Sequence, residues 1–373
     1  MSFLNAQHGQ NAQNAQNAQN AQNAQNAQDG GEPHVGGRAS PLLSTALARA
    51  RDGIIGSEFI TGVAGPVPTL SPGERLGRLS PAFRGAVLLA EALSDLEFSD
   101  DAGDTDRAGE ATLSVRLAGG IVAYEPLVRL SPPSDADFAR DVELVANYAD
   151  LRAERLPEII VQTSDILSFF GTIEYLHATR SEATLALLGL ALDIVTAAAQ
   201  TMKLSLACPR PIVFAPELQP PIQTPEHASF PSGHATQAFV VATVLAELST
   251  GSSAAIGADS QLFRMASRIA ANRTVAGVHF PSDSAAGALL GLTLGRYIAA
   301  RARGQGNLAG YHFKGGDYHD GGTTRDFHYA EFHKMVQGEN PAAEALGTIE
   351  PRPAPLLGWL WGKAREEHDR RWT

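Results

Sequence analysis

Three short segments, far apart in the sequence, carry the residue types that could do chemistry: residues 203–211, 227–234 and 272–283. Their charged, histidine and turn residues form one candidate site: Lys203, Arg210, His227, Ser232, Gly233, His234, Arg273, His279 and Asp283. Lysine and arginine neutralise an oxyanion, and a guanidinium group can bind two of its oxygens at once. The three segments therefore predict a site for a tetrahedral or trigonal-bipyramidal oxyanion.

The remaining residues of these segments suit the same ligand. Ser232 and Gly233 lie at the predicted start of a helix, where backbone N–H groups point at a bound anion. Of the two histidines that follow, His234 and His279, one could bind the central atom while the other gives or takes a proton. These residue types favour an enzyme over a passive binding protein.

The spacing of these residues resembles a superfamily that joins type-2 phosphatidic acid phosphatases, bacterial class A acid phosphatases and vanadium-dependent haloperoxidases. Its pattern is Lys-x6-Arg-Pro, then Pro-Ser-Gly-His, then Ser/Asn-Arg-x5-His-x3-Asp. The chain fills every position of this pattern in order, from Lys203 to Asp283.

The resemblance implies a role for each residue. His279 would bind the centre of the anion, and Asp283 would hold the other ring nitrogen of His279 and fix its tautomer. His234 would manage the proton of the apical oxygen. The equatorial oxygens would be held by the cations and the helix start: Lys203, Arg210, Ser232, Gly233 and Arg273.

Three features favour a haloperoxidase. The resemblance implies a bromo- or iodoperoxidase, because His227 occupies a position at which chloroperoxidases carry phenylalanine. Asn272 precedes Arg273, where phosphatases more often have serine, and the chain shows neither a signal peptide nor a membrane span. The prediction is an orthovanadate-dependent haloperoxidase that oxidises bromide or iodide with hydrogen peroxide to hypohalous acid, which halogenates an organic acceptor.

Two alternatives stay open at the level of sequence. The first is a soluble acid phosphatase that uses His279 as the phosphoryl-accepting nucleophile. The second is a protein that binds an oxyanion without catalysis. The same pocket could serve the haloperoxidase and the phosphatase, because vanadate imitates the transition state of phosphoryl transfer and fold alone does not decide function.

Composition excludes several other classes. The net charge of -11 argues against nucleic-acid binding. The single cysteine, Cys208, allows no intramolecular disulfide and is read as a small turn residue rather than a catalytic thiol. Residues 184–202 are apolar but contain Asp193, so a buried helix is favoured over a membrane span. The protein is expected to be soluble and cytoplasmic by default, with export by another route left open.

Helical periodicity and the lack of convincing alternating strands predict an all-α fold. The resemblance implies two four-helix-bundle-like halves around the site. The expected domains are a disordered Asn-Ala-Gln repeat tail (1–40), the catalytic domain (41–303), and a C-terminal extension (304–373) that packs on the core or on a partner subunit of a homo-oligomer, a dimer or larger. Four histidines of this extension are read as part of an irregular segment rather than a metal site: His312, His319, His328 and His333.

Overall fold

The computed structural model describes residues 41–54, 69–103, 107–119, 122–251, 260–319 and 325–371. These residues are rich in helix. The α-helices are α1 (Pro41–Ile54), α2 (Pro72–Gly77), α3 (Pro81–Leu93), α4 (Asp135–Asn147), α5 (Arg152–Val161), α6 (Leu167–Phe170), α7 (Glu182–Leu206), α8 (Pro211–Phe214), α9 (Gly233–Thr250), α10 (Gln261–Val275), α11 (Pro281–Arg303), α12 (Tyr329–Gln337) and α13 (Pro355–Asp369).

The prediction of an all-α fold is wrong, because the protein also contains a five-stranded mixed sheet. Its strands follow the order β1-β2-β3-β4-β5, with β3 and β4 parallel and the other pairs antiparallel. The strands are β1 (Leu96–Asp100), β2 (Ala111–Arg116), β3 (Tyr124–Ser131), β4 (Leu308–Lys314) and β5 (Ala343–Ile349). The sheet thus combines strands that precede the three motif segments with strands that follow them.

Local sequence explains part of this sheet. In β2, Ala111, Leu113 and Val115 alternate with partly exposed residues, and their side chains are buried. This alternation of period two is typical of a strand with one buried face. The pairing of Val128 in β3 with Tyr311 in β4 joins distant parts of the chain, which no local pattern reveals.

Two compact units divide the chain, residues 1–86 and 87–373. In the first, Ser71 and Glu74 form a capping box at the start of α2, with the backbone N–H of Ser71 donating to Glu74 Oε2 over 2.8 Å. The second unit holds the sheet, most of the helices and all three motif segments. The expected disordered tail at 1–40 lies outside the described residues, and the domain limits at 303 and 304 stay predictions.

Close packing of α9 against α11 sets the frame of the site. A Cβ atom placed on Gly287 would lie 2.5 Å from the carbonyl oxygen of Ser232, and one on Gly291 would lie 2.3 Å from that of Thr236. Only residues without a Cβ allow the two backbones to approach this closely. As a result, the helix that begins after Ser232 is held against the helix that begins after His279.

Aromatic side chains pack against the second and third motif segments. Phe230, just before the Pro-Ser-Gly-His segment, packs against Phe313 of β4 with ring centroids 5.9 Å apart. Phe280, next to His279, packs against Phe138 of α4 at 4.7 Å. The sheet and α4 therefore fix the backbone from which the site residues project.

One segment of the described chain, Glu182–Phe214, is long and apolar enough to cross a membrane by length and composition. Half of its most apolar window is buried inside the protein. A single segment of this kind is weak evidence for a span, because the core helices of soluble proteins share this composition. The solubility of the protein and its compartment stay predictions.

Candidate active site

Lys203 and Arg210 tie the first motif segment to the other two. Lys203 lies in the last turn of α7, fully buried, and its Nζ donates to the carbonyl oxygens of Ala228 (2.6 Å) and Ser229 (2.7 Å). Arg210 donates from Nη1 to the carbonyl oxygen of Val278 over 2.7 Å. Both side chains therefore hold backbone of the neighbouring segments in addition to supplying positive charge.

The donors of Arg210 are engaged with the protein in this arrangement. Its Nε donates to the His227 carbonyl oxygen (2.9 Å), and its Nη2 lies 3.1 Å from His227 Nδ1 and 3.3 Å from the Ala228 carbonyl oxygen. Nη1 also lies 3.4 Å from His279 Nε2. The long contacts at 3.3 and 3.4 Å are the ones that an anion could most readily replace.

His279 is oriented by the residue that the sequence predicted. Its Nδ1 lies 2.9 Å from Asp283 Oδ2, and the same oxygen accepts from the hydroxyl of Ser229 (2.5 Å) and the N–H of Phe280 (2.9 Å). Because a carboxylate only accepts, the proton of a neutral His279 lies on Nδ1, and Nε2 presents a lone pair. This is the atom that could bind or attack the centre of an anion.

Ser232 joins the second segment to the third. Its backbone N–H donates to the carbonyl oxygen of Asp283 over 2.9 Å, and its Oγ caps α9 by accepting from the N–H of Ala235. A Cβ placed on Gly233 would meet no atom within 4 Å. The amino end of α9 therefore opens onto free space beside Gly233, as an anion site requires.

Arg273 is the cation with unused donors. It lies in the last turn of α10, is 1 % exposed, and donates from Nη2 to the Ile159 carbonyl oxygen (3.2 Å) and to Gln162 Oε1 (3.0 Å). Its Nε and Nη1 are buried and have no hydrogen-bond partner among the described residues. Buried polar groups are nearly always satisfied, so this exception points to a missing acceptor.

His234 is held through its Nε2, whereas His279 is held through its Nδ1. The Nε2 of His234 lies 3.0 Å from the backbone carbonyl oxygen of Gln162. Because a carbonyl only accepts, the proton of neutral His234 lies on Nε2 and the lone pair lies on Nδ1. His234 can therefore take a proton at Nδ1.

Burial and repulsion between like charges lower the pKa values of the histidines and of Lys203 in the site. Burial and then Arg273 lower the pKa of His234 to about 3. Burial and then Arg210 and Lys203 lower the pKa of His279 well below its usual range, and burial and then Arg210 do the same for Lys203. Burial raises the pKa of Asp283 to about 6, against the hydrogen bonds from Ser229 and Phe280, which lower it.

These features fit an oxyanion such as orthovanadate or phosphate. Three buried cations, Lys203, Arg210 and Arg273, face one buried carboxylate, Asp283. An anion would balance this excess of positive charge, accept from the free donors of Arg273 and meet the lone pair of His279. The donor set therefore suits the group that the resemblance implies.

His227 lies at the solvent side of the same cluster. It keeps an exposed edge, and its ring nitrogen Nδ1 lies beside Arg210. Partial burial and then the neighbouring Lys203 lower its pKa to about 4. The position puts a neutral, polar ring next to the cations.

The sequence predictions name the main side chains of this cluster but miss two supports, Gln162 and Ser229. Ser229 lies inside the second segment, between recognised residues, so its position was available as a signal. Gln162 follows α5, well before the first segment, and nothing in its local sequence marks it. Cys208 is buried, and burial raises the pKa of its thiol to about 12, which disfavours a thiolate nucleophile.

The histidines of the C-terminal segment lie elsewhere. His312 lies in β4, 2.9 Å from Ser131 Oγ, and His319 pairs with Asp141 at 2.8 Å. Within the described residues, no group of three or more His, Cys, Asp or Glu side chains is arranged to hold a metal ion. The prediction of an irregular segment is wrong in part, since it contains β4 and the start of α12.

The fold brings three buried cations, Lys203, Arg210 and Arg273, together with His234 and His279. Residues 182–305 match the model of the PAP2 superfamily. The match supports membership of this part of the chain in the superfamily of type-2 phosphatases and haloperoxidases, whose members are enzymes. Comparison with curated proteins found no match.

Proposed function

We propose that the protein is a vanadate-dependent haloperoxidase that oxidises bromide or iodide with hydrogen peroxide and passes the hypohalous acid to an organic acceptor. The observation that carries the proposal is the buried cluster of cations around Nε2 of His279, whose contact with Arg210 Nη1 is long at 3.4 Å, together with the unused donors on Arg273. Deep burial suits a cofactor that is held through many turnovers.

Each site residue has a task in this proposal. His279 would bind vanadate through Nε2, with Asp283 holding Nδ1, and Arg273 would donate to its oxygens from Nε and Nη1. Bound vanadate would supply the activation of hydrogen peroxide for two-electron oxidation of the halide, without a change in its own oxidation state. His234 would take and return a proton at Nδ1, because its Nε2–H is engaged with a backbone carbonyl.

His227 supports the choice of halide. It stands beside Arg210 on the solvent side, where an approaching halide would pass a ring that can hydrogen-bond. Bromide and iodide release their hydration more easily than chloride and are easier to oxidise. We therefore infer that the site prefers bromide and iodide.

An acid phosphatase is the second candidate, and the same geometry supports it. His279 Nε2 would attack phosphorus, the ester P–O bond would break, and His234 would protonate the leaving alcohol. Water would then release phosphate from His279. His234 can donate only if the bound phosphate raises its pKa from about 3, which a nearby anion does.

A paired assay on one preparation separates the two reactions. Halide oxidation with hydrogen peroxide is measured after vanadate loading, and hydrolysis of a phosphate ester is measured without vanadate. The proposal expects vanadate-dependent oxidation of bromide and iodide, which His279→Ala abolishes. Rapid ester hydrolysis together with no halide oxidation after loading would contradict it and establish the phosphatase.

A further inference from the structure

Gln162 lies at the centre of the site although no motif contains it. It directly follows α5, is 1 % exposed, and its backbone N–H donates to the carbonyl oxygen of Glu158 over 2.9 Å. Its two oxygen atoms contact residues of two different motif segments, His234 and Arg273, while its Nε2 has no hydrogen-bond partner among the described residues. A buried amide in this place needs a reason, because an apolar side chain would be less costly to bury.

The side-chain oxygen of Gln162 holds Arg273. Oε1 accepts from Arg273 Nη2 (3.0 Å) and from Asn272 Nδ2 (3.1 Å). A guanidinium nitrogen can only donate, so the atom that faces it must be the amide oxygen and not the nitrogen. Asn272 Nδ2 also donates to Glu158 Oε2 over 3.0 Å, which connects the contact to α5.

This contact selects which donors of Arg273 stay free. Gln162 Oε1 and the Ile159 carbonyl oxygen both engage Nη2. Nε and Nη1 are thereby left without a partner among the described residues. A guanidinium plane fixed at one nitrogen also fixes the directions of the other two donors, which lowers the entropy lost when an anion binds.

The backbone of the same residue sets the tautomer of His234. The Gln162 carbonyl oxygen accepts from Nε2 of His234, which leaves Nδ1 as the proton acceptor. One residue thus orients both a cation and a proton-transfer group. A residue that only joined α5 to α10 would have no need to contact His234.

We propose that Gln162 is a positioning residue of the oxyanion site, which acts through Arg273 and His234. The inference rests on the proposed function only in requiring that the site binds an oxyanion, in either reaction. Its probe is therefore orthovanadate itself, titrated at micromolar concentration into wild type and variants by calorimetry, with inorganic phosphate as a second anion.

Gln162→Leu keeps the approximate volume and removes the acceptor for Arg273. We expect its dissociation constant for orthovanadate to rise about 10- to 100-fold, the usual effect of removing a partner that orients a ligand. Gln237→Leu is the matched control, since Gln237 Nε2 on α9 donates to Thr196 Oγ1 of α7 in an exposed contact. Its affinity should equal that of wild type.

Gln162→Glu separates positioning from simple structural support. The carboxylate accepts the same hydrogen bonds, so it keeps Arg273 in place, but its charge competes with the anion for the same cation. Its affinity relative to wild type should therefore be lowest at high pH and should recover as falling pH protonates the carboxylate. A role limited to folding stability would not produce this pH dependence.

The outcomes are distinct. If wild type binds neither anion, the oxyanion site is refuted, and the proposed function and the role of Gln162 fail together. If wild type binds and both variants match its affinity at every pH, Gln162 is not a positioning residue. If Gln162→Leu does not fold, Gln162→Glu decides, because a pH-independent affinity equal to wild type would overturn the proposal.

Discussion

Replacing Arg273 with alanine gives the clearest measure of anion binding. Lys203 and Arg210 also hold backbone carbonyls of neighbouring segments, so their removal would disturb the site in more than one way. Arg273 uses only Nη2 to hold the Ile159 carbonyl oxygen and Gln162, and it keeps Nε and Nη1 without a partner among the described residues. Its loss therefore removes two donors that an added anion would use, in addition to these two contacts with the protein.

The expected loss of anion affinity in Arg273→Ala follows from these free donors. A hydrogen bond to a charged group contributes about 1.5–3 kcal/mol. Loss of one or two such contacts from Arg273 to an anion gives about 3 kcal/mol, which corresponds to a dissociation constant raised about 100- to 200-fold. Arg273→Lys keeps a charge but loses the planar arrangement of donors, so we expect an intermediate loss.

Orthovanadate titration by calorimetry measures this change, and the rise in melting temperature on adding vanadate gives an independent readout. Arg264→Ala is the matched control on the same helix, because Arg264 stacks over the ring of Tyr329 outside the site. An Arg273→Ala variant with wild-type affinity would refute the reasoning, since it would mean that the free donors do not face the anion.

Three further predictions concern halide choice, packing and pH. His227→Phe should keep vanadate bound but change the ratio of bromide to chloride oxidation, measured as steady-state rates over a range of pH. Gly291→Ala should lower the free energy of unfolding by about 1–3 kcal/mol, because its Cβ would clash with the facing helix; Gly189→Ala, which meets no atom within 4 Å, is the control in a denaturant titration. The hydrogen bond to Asp141 raises the pKa of His319, so this pair stabilises the fold fully below pH about 6.5 and loses that contribution as pH rises through the raised value. His319→Asn should therefore cost more stability at pH 6 than at pH 9.

The predictable part of the site is local in sequence. Asp283 follows His279 by four residues at the start of α11, and this spacing brings the carboxylate to the ring nitrogen. Ser232 caps α9, and its place directly before the helical segment that begins at Gly233 predicts this role. The ligand and proton-transfer roles of these residues stay predictions, although their placement agrees with them.

The missed part depends on contacts between distant residues. β3 and β4 pair in parallel only after the chain has passed through the motif segments, and Gly310 is needed there because a Cβ would lie 2.8 Å from two carbonyl oxygens of β3. Gln162 reaches the site from α5 through a backbone carbonyl and one amide. Neither feature has a periodic or spacing signal. The all-α prediction has a second cause, because it also overlooked the period-two alternation of β2.

The most direct test is a crystal structure of the protein soaked with orthovanadate. The account predicts one vanadium atom bonded to Nε2 of His279, with its oxygens accepting hydrogen bonds from Nε and Nη1 of Arg273. Vanadium bound at another place, or none at full soaking concentration, would contradict the assignment of this centre as an oxyanion site.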